Sequence, residues 1–236
     1  MKRMVWLLLL AFLAVPAAAF AQTDELLVSF EGFDYEFPDA HPADFGGAGD
    51  WYNVVGYVQS GHPLLALDFS NNEYTIQFFN LWSTGFTDFG NFRFVQYTTG
   101  RVRVFEDPLS GGTHGDFNGS AFPDNNTAGA PPPNDTSPST FNDGTLILGG
   151  SVTAFAITFD LTAGTGNFGG DVHFDEGTKL ANVPVDVTHA YTFAGLTSEP
   201  STVYTGYDHQ VSGEIRIERQ VKTETTSWGK MKALYR

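Results

Sequence analysis

Residues 151–177 read SVTAFAITFDLTAGTGNFGGDVHFDEG, and their apolar side chains recur at alternate positions. Phe155, Ile157, Phe159 and Leu161 share one parity; beyond the TAGTG turn, Phe168, Val172 and Phe174 share one as well. A period of two places each set on one face of an extended strand and leaves the other face to polar residues. This alternation constrains the chain most, because it recurs in short segments with almost no helical periodicity between them. The segments LLVSFEGFDYEF (26–37), WYNVVGYVQS (51–60), NEYTIQFFNLW (72–82), HAYTFAG (189–195) and VSGEIRIER (211–219) read the same way, rich in aromatic and β-branched residues. With no helices to cover a parallel sheet, the strands must pair antiparallel. The pattern predicts an all-β chain of about nine or ten strands. An antiparallel β-sandwich in a jelly-roll or Greek-key-like order is expected, with a closed β-barrel as the alternative.

Two local readings go further. Val28 and Phe30 share one parity while Phe33, Tyr35 and Phe37 share the other, so a bulge is expected at Gly32. In residues 92–105, Thr98-Thr99-Gly100 reads as the three-residue loop of a hairpin, pairing Tyr97 with Arg101, Val95 with Arg103 and Arg93 with Phe105. That register gathers Arg93, Tyr97, Arg101 and Arg103 on one face, opposite Phe92, Phe94, Val102 and Val104.

The first residues decide the compartment. MKRMVWLLLLAFLAVPAAAFAQ has a basic start, one apolar run and the small-x-small triplet Ala19-Phe20-Ala21 before Gln22, the layout of a secretory signal peptide spanning 1–21. The apolar run is too short to cross a bilayer comfortably, and no later segment approaches spanning length. The chain has no cysteine, so an exported form would rely on core burial alone. Together these point to a secreted, periplasmic or envelope protein of bacterial type. Residues 22–218 read as a single domain, with a long irregular loop over 107–143 that is crowded with Pro, Gly, Asn and Asp.

Charge is unevenly placed. Residues 22–215 hold 25 Asp/Glu against 4 Lys/Arg, whereas residues 216–236 hold 2 against 6. Such an acidic body repels nucleic acid and anionic lipid, and leaves cations, neutral glycans or basic surfaces as partners. The basic tail over 219–236 carries Trp228, Met231 and Leu234 at three-residue spacing, interleaved with Lys230, Lys232 and Arg236. Ser227 is a suitable N-cap, so a short C-terminal helix with one apolar edge is expected, serving as a docking or sorting element.

Four constellations could carry chemistry. Asp171, His173 and Asp175 alternate along one strand face, a ligand set suited to a transition metal. Asp116, Asn118 and Asp124 lie in the long loop, whose oxygens suit a structural calcium. Arg93, Arg101 and Arg103, beside Tyr97, would receive a carboxylate or an anionic sugar. Trp51, at the end of a Gly/Asp loop, would offer a ring to a glycan. Signatures of nucleophilic or zinc catalysis are missing: no HExxH, no GxSxG and no cysteine. The reading is therefore a non-catalytic exported module of the envelope or matrix that binds a ligand such as a glycan. A carboxylate-dependent polysaccharide hydrolase and an outer-membrane β-barrel are the alternatives.

Overall fold

A computed structural model describes residues 25–37, 45–117, 139–184, 189–198, 204 and 207–219. Nine strands run through them: β1 (Glu25–Phe37), β2 (Trp51–Gly61), β3 (Asn72–Phe89), β4 (Phe92–Tyr97), β5 (Gly100–Pro108), β6 (Thr145–Asp160), β7 (Thr165–Glu176), β8 (His189–Ser198) and β9 (His209–Arg219). All belong to one sheet, every pairing is antiparallel, and β9 returns to β1 through a ladder from Glu25–Ile217 to Asp34–His209. The sheet is therefore closed. Of the two predicted architectures, the barrel is the one observed, and its strands follow one another around the ring instead of crossing in Greek-key fashion. Closure gives each strand two partners and removes the exposed edges that a sandwich must protect.

Eight positions make the ring, because β4 and β5 occupy one position end to end. Both lie between β3 and β6: β4 pairs with Ser83–Phe89 and Ala156–Asp160, β5 with Asn72–Phe79 and Thr145–Val152. The hairpin expected at Thr98-Thr99-Gly100 is thus absent, and the chain runs straight on through a local break. The break has counterparts on both neighbours. Asn80 in β3 and Ala154 in β6 have φ of 59° and 53°, and at each the inward parity switches, from Phe78 to Leu81 and from Val152 to Phe155. Across β4 and β5 it switches from Tyr97 to Val102. Aligned bulges over three adjacent strands bend the sheet as a unit, which lets strands of 18 and 16 residues curl into a small barrel.

The lumen is filled. Phe30, Phe78, Phe193, Phe155, Tyr52 and Tyr97 form a continuous run of rings with centroids 5.0–5.4 Å apart, and all are almost fully buried. Val172, Phe174, Val211, Ile215 and Ile217 join them from the inward faces of β7 and β9, as their alternation predicts. The outward faces of the same strands carry Asp171, His173, Asp175, Ser212, Glu214 and Arg216. No bulge occurs at Gly32, which pairs regularly with Gly56 on β2 and Val211 on β9. The even parity of Val28 and Phe30 continues unbroken through it. A side chain at Gly32 would lie 2.0 Å from the Val55 carbonyl oxygen, so glycine is needed there for close approach of backbones.

Phe33 and Tyr35 consequently face outward, into a second apolar cluster. Val55, Tyr57, Phe117, Phe141, Tyr204 and Tyr207 cover them. Phe117 and Phe141 come from the two ends of the predicted 107–143 loop. The Tyr57 hydroxyl donates to the Gly115 carbonyl, and Thr75 Oγ1 donates to that of Phe141 at 2.9 Å.

Candidate functional site

Because Gly32 does not break the parity of β1, Asp34 and Glu36 project into the barrel near one end. Both are buried, at 0% and 6% exposure. Burying a carboxylate is costly unless partners satisfy its oxygens, and here they do. Asp34 Oδ1 accepts the His209 backbone N–H at 2.8 Å and lies 3.0 Å from His209 Nδ1; Oδ2 accepts the Tyr52 hydroxyl at 2.8 Å. Burial opposes charge on the His209 imidazole, but the charge and hydrogen bond of Asp34 outweigh it and push the imidazole up to about 9. His209 is therefore an imidazolium at neutral pH, donating from Nδ1 to Asp34. Its ring rests between Phe45 and Phe159, with centroids at 5.1 and 4.9 Å.

Glu36 is held differently. Its oxygens accept the Gly46 N–H at 2.8 Å and the Tyr97 hydroxyl at 2.9 Å. Burial nevertheless dominates and, with the charges of Asp50 and Asp208 nearby, pushes the carboxyl up to about 8. Glu36 is thus neutral under ordinary conditions. Burial, with these carboxylates close by, also raises the Tyr52 and Tyr97 hydroxyls well above their usual range.

The Phe45–Gly46 segment closes this end of the barrel. Glu36 fixes the Gly46 amide, Ser83 Oγ donates to the Gly46 carbonyl at 2.6 Å, and Arg93 Nη1 donates to the Phe45 carbonyl at 3.1 Å. Chemically, two carboxyls side by side have the parts of an acid–base pair. Geometrically, both groups lie two residues apart on one strand, sealed beneath the plug and committed to internal hydrogen bonds. The constellation fastens β1, β2, β4 and β9 to the plug.

The arginines separate. Arg93 points inward from β4, is 6% exposed, and makes a two-point pair with Asp88 at 2.8 and 3.1 Å, its guanidinium 3.7 Å above the Phe86 ring. Arg101 and Arg103 point outward from β5, beyond the parity switch. Arg101 grips Asp175 at 2.8 and 2.9 Å and Glu176 at 2.6 Å, and Arg103 Nε reaches Glu176 at 3.0 Å. The predicted arginine face beside Tyr97 does not exist, since Tyr97 lies inside the lumen on Glu36. Trp51 is not an exposed platform either: it is 2% exposed and stacks on Trp82 at 6.3 Å.

Asp171, His173 and Asp175 do share the outward face of β7, with Asp175 taken by Arg101. Among the described residues, no three His, Asp or Glu side chains converge as metal ligands. Asp116 lies on the outer wall, its backbone N–H on Thr140 Oγ1 at 3.2 Å. Asn118, Asp124 and the tail residues Trp228, Lys230, Met231, Lys232, Leu234 and Arg236, with the expected C-terminal helix, lie outside the described residues.

A groove of about 450 Å³ marks the outer wall near the plugged end. Register builds it from two parallel rows: Phe92–Asp160–Thr165–Ser198 across β4, β6, β7 and β8, and Thr158–Asn167–Leu196 across β6, β7 and β8. Phe92 and Leu196 stand at its margins, 50% and 67% exposed. Sequence reading missed it because the rows join residues from four separate strands. Comparison of the chain with protein-family models, with curated proteins and with solved structures gives no match.

Proposed function

We propose that this chain is an exported, non-catalytic β-barrel module of the cell envelope or extracellular matrix that acts by binding through its outer wall. The observation that carries the reading is the distribution of polarity. Aromatic rings pack the lumen, its buried carboxyls are consumed by internal hydrogen bonds, and what the described residues present to the surroundings is a polar, acidic wall that carries an amphipathic groove. A hydrolase needs two carboxyls aimed at a substrate, whereas Asp34 and Glu36 are aimed at Tyr52, His209, Tyr97 and Gly46. An outer-membrane barrel needs an apolar outside, which Asp171, His173, Asp175, Glu214 and Arg216 would make costly in lipid. The leader reading of residues 1–21 supports export. The test incubates the chain from Gln22 onward with isolated envelope and extracellular polysaccharide fractions. Retention on the fraction without release of reducing ends is expected. Progressive release of reducing ends, or, when the full-length chain is expressed separately in a bacterial host, its recovery in the cytoplasm with residues 1–21 intact, would overturn the reading.

A further inference from the structure

The groove on the outer wall has a composition that selects a ligand class. Its uncharged polar groups are the hydroxyls of Thr158, Thr165 and Ser198 and the amide of Asn167, all able both to donate and to accept, while Thr197 turns its hydroxyl inward to Asp34 Oδ2 at 3.5 Å. No Lys or Arg lines it, so nothing there neutralises an anion. Its one acid, Asp160, already accepts the Thr162 and Ala163 backbone N–H groups through Oδ1 at 2.9 and 3.1 Å, capping the β6–β7 turn. An array that donates and accepts at every position matches hydroxyl groups, which do the same.

Apolar surface completes the match. Phe92 and Leu196 are large, exposed and at opposite margins, so a ligand between them meets an aromatic ring and an aliphatic edge while its polar groups face the floor. A sugar ring has this division, with hydroxyls around its rim and a patch of C–H groups on its face. Neighbouring strands are about 4.8 Å apart, so the row that begins at Phe92 extends about 14 Å from β4 to β8. That length accommodates a short oligosaccharide lying across the strands. Resting on the binding role proposed above, we infer that this groove is a glycan site taking neutral oligosaccharides, with Phe92 as the stacking ring and Asn167 as the principal polar contact.

The experiment titrates the chain from Gln22 onward with neutral cello-, malto- and chito-oligosaccharides by calorimetry, alongside hydrogen exchange with and without ligand. One series is expected to bind and to protect residues 158–167 and 192–198. Phe92→Ala should weaken it by about tenfold, the loss of one ring contact, and Asn167→Ala by about threefold to tenfold. Phe69→Ala, which removes an exposed ring at the opposite end of the barrel, should change nothing. Thermal melts of each variant separate lost binding from lost fold. If no neutral oligosaccharide binds while the chain still adheres to envelope fractions, the glycan assignment is wrong and the broader binding role stands. Preference for charged oligosaccharides would overturn the assignment too. So would self-association abolished by Leu196→Glu, which would make the groove a contact between copies.

Discussion

Glu36→Gln should halve the pH dependence of stability in the neutral range. Glu36 ionises near 4.5 when solvated and at about 8 in the barrel; His209 titrates near 6.5 when solvated and at about 9 in place. Between these limits the unfolded chain has released protons that the folded chain keeps. Stability contributed by a group with a raised folded pKa is complete below its unfolded pKa and is lost as pH rises through the folded value, so both groups act in the same direction. In the overlap, from about pH 6.5 to 8, two protons separate the states and stability falls by about 2.7 kcal/mol per pH unit. Glutamine retains the shape and an acceptor for the Gly46 amide, while its amide donates to a Tyr97 hydroxyl reversed in role. Of the two groups His209 then remains, and the slope they contribute should drop to about 1.4 kcal/mol per pH unit. Hydrogen bonds hold the Asp68 and Asp88 carboxyls below their usual range, burial raises Asp107 and only partly offsets the lowering of Glu176 by Arg101 and Arg103, and burial raises the Tyr52 and Tyr97 hydroxyls well above theirs. Urea unfolding followed by tryptophan fluorescence at several pH values measures the slope directly. The variant should gain stability over the wild type by a few kcal/mol near pH 8.5 and differ little near pH 5, on the order of the burial cost of one carboxylate. An unchanged slope would mean that Glu36 titrates as a solvated group, and the sealed polar layer would have to be abandoned.

Two further substitutions test the barrel itself. Arg93→Ala should cost about 2–4 kcal/mol, because it removes a buried cation and leaves the Phe45 carbonyl without its donor. Arg101→Ala breaks only the partly exposed pairs with Asp175 and Glu176 and should cost under about 1 kcal/mol, so equal losses in urea titrations would contradict their assignment to opposite faces. Gly32→Ala would press a methyl group 2.0 Å from the Val55 oxygen and 2.5 Å from the Gly56 Cα, both backbone atoms, and should cost more than about 3 kcal/mol. A near-neutral melting temperature would place the bulge back at Gly32.

The inward faces of β6, β7 and β9 were legible because one side of each strand meets solvent, so alternation in polarity maps directly onto inside and outside. Phe155, Ile157, Phe159, Phe168, Val172, Phe174, Val211, Ile215 and Ile217 all lie where that rule puts them. Only Leu161 departs, since β6 ends at Asp160 and leaves it 41% exposed in the turn. The arginine face failed for a different reason. One extra residue at an aligned bulge reverses every side chain beyond it; Ala154 announces no positive φ in the sequence, and Asn80, though asparagine visits that region more readily than most residues, stands inside an unbroken strand-like run.

β1 fails most instructively, because both of its faces are buried near the plugged end. Phe33 and Tyr35 lie under Phe117, Phe141 and Tyr207, and Asp34 and Glu36 lie in the lumen, so polarity no longer distinguishes inside from outside. Grouping the aromatic residues as the core face forces a break at Gly32 that the strand does not have. Continuing the parity of Val28 and Phe30 predicts instead that two acids enter the barrel, and a buried acid implies partners brought from elsewhere. His209 lies 175 residues away from Asp34, and Tyr97 lies on a strand whose register depends on a bulge. Local pattern alone could not have named either. Where a strand alternates aromatic with acidic residues, unbroken parity is therefore the safer guide: rings settle on either side of a doubly covered sheet, whereas an acid turned inward recruits donors from distant strands.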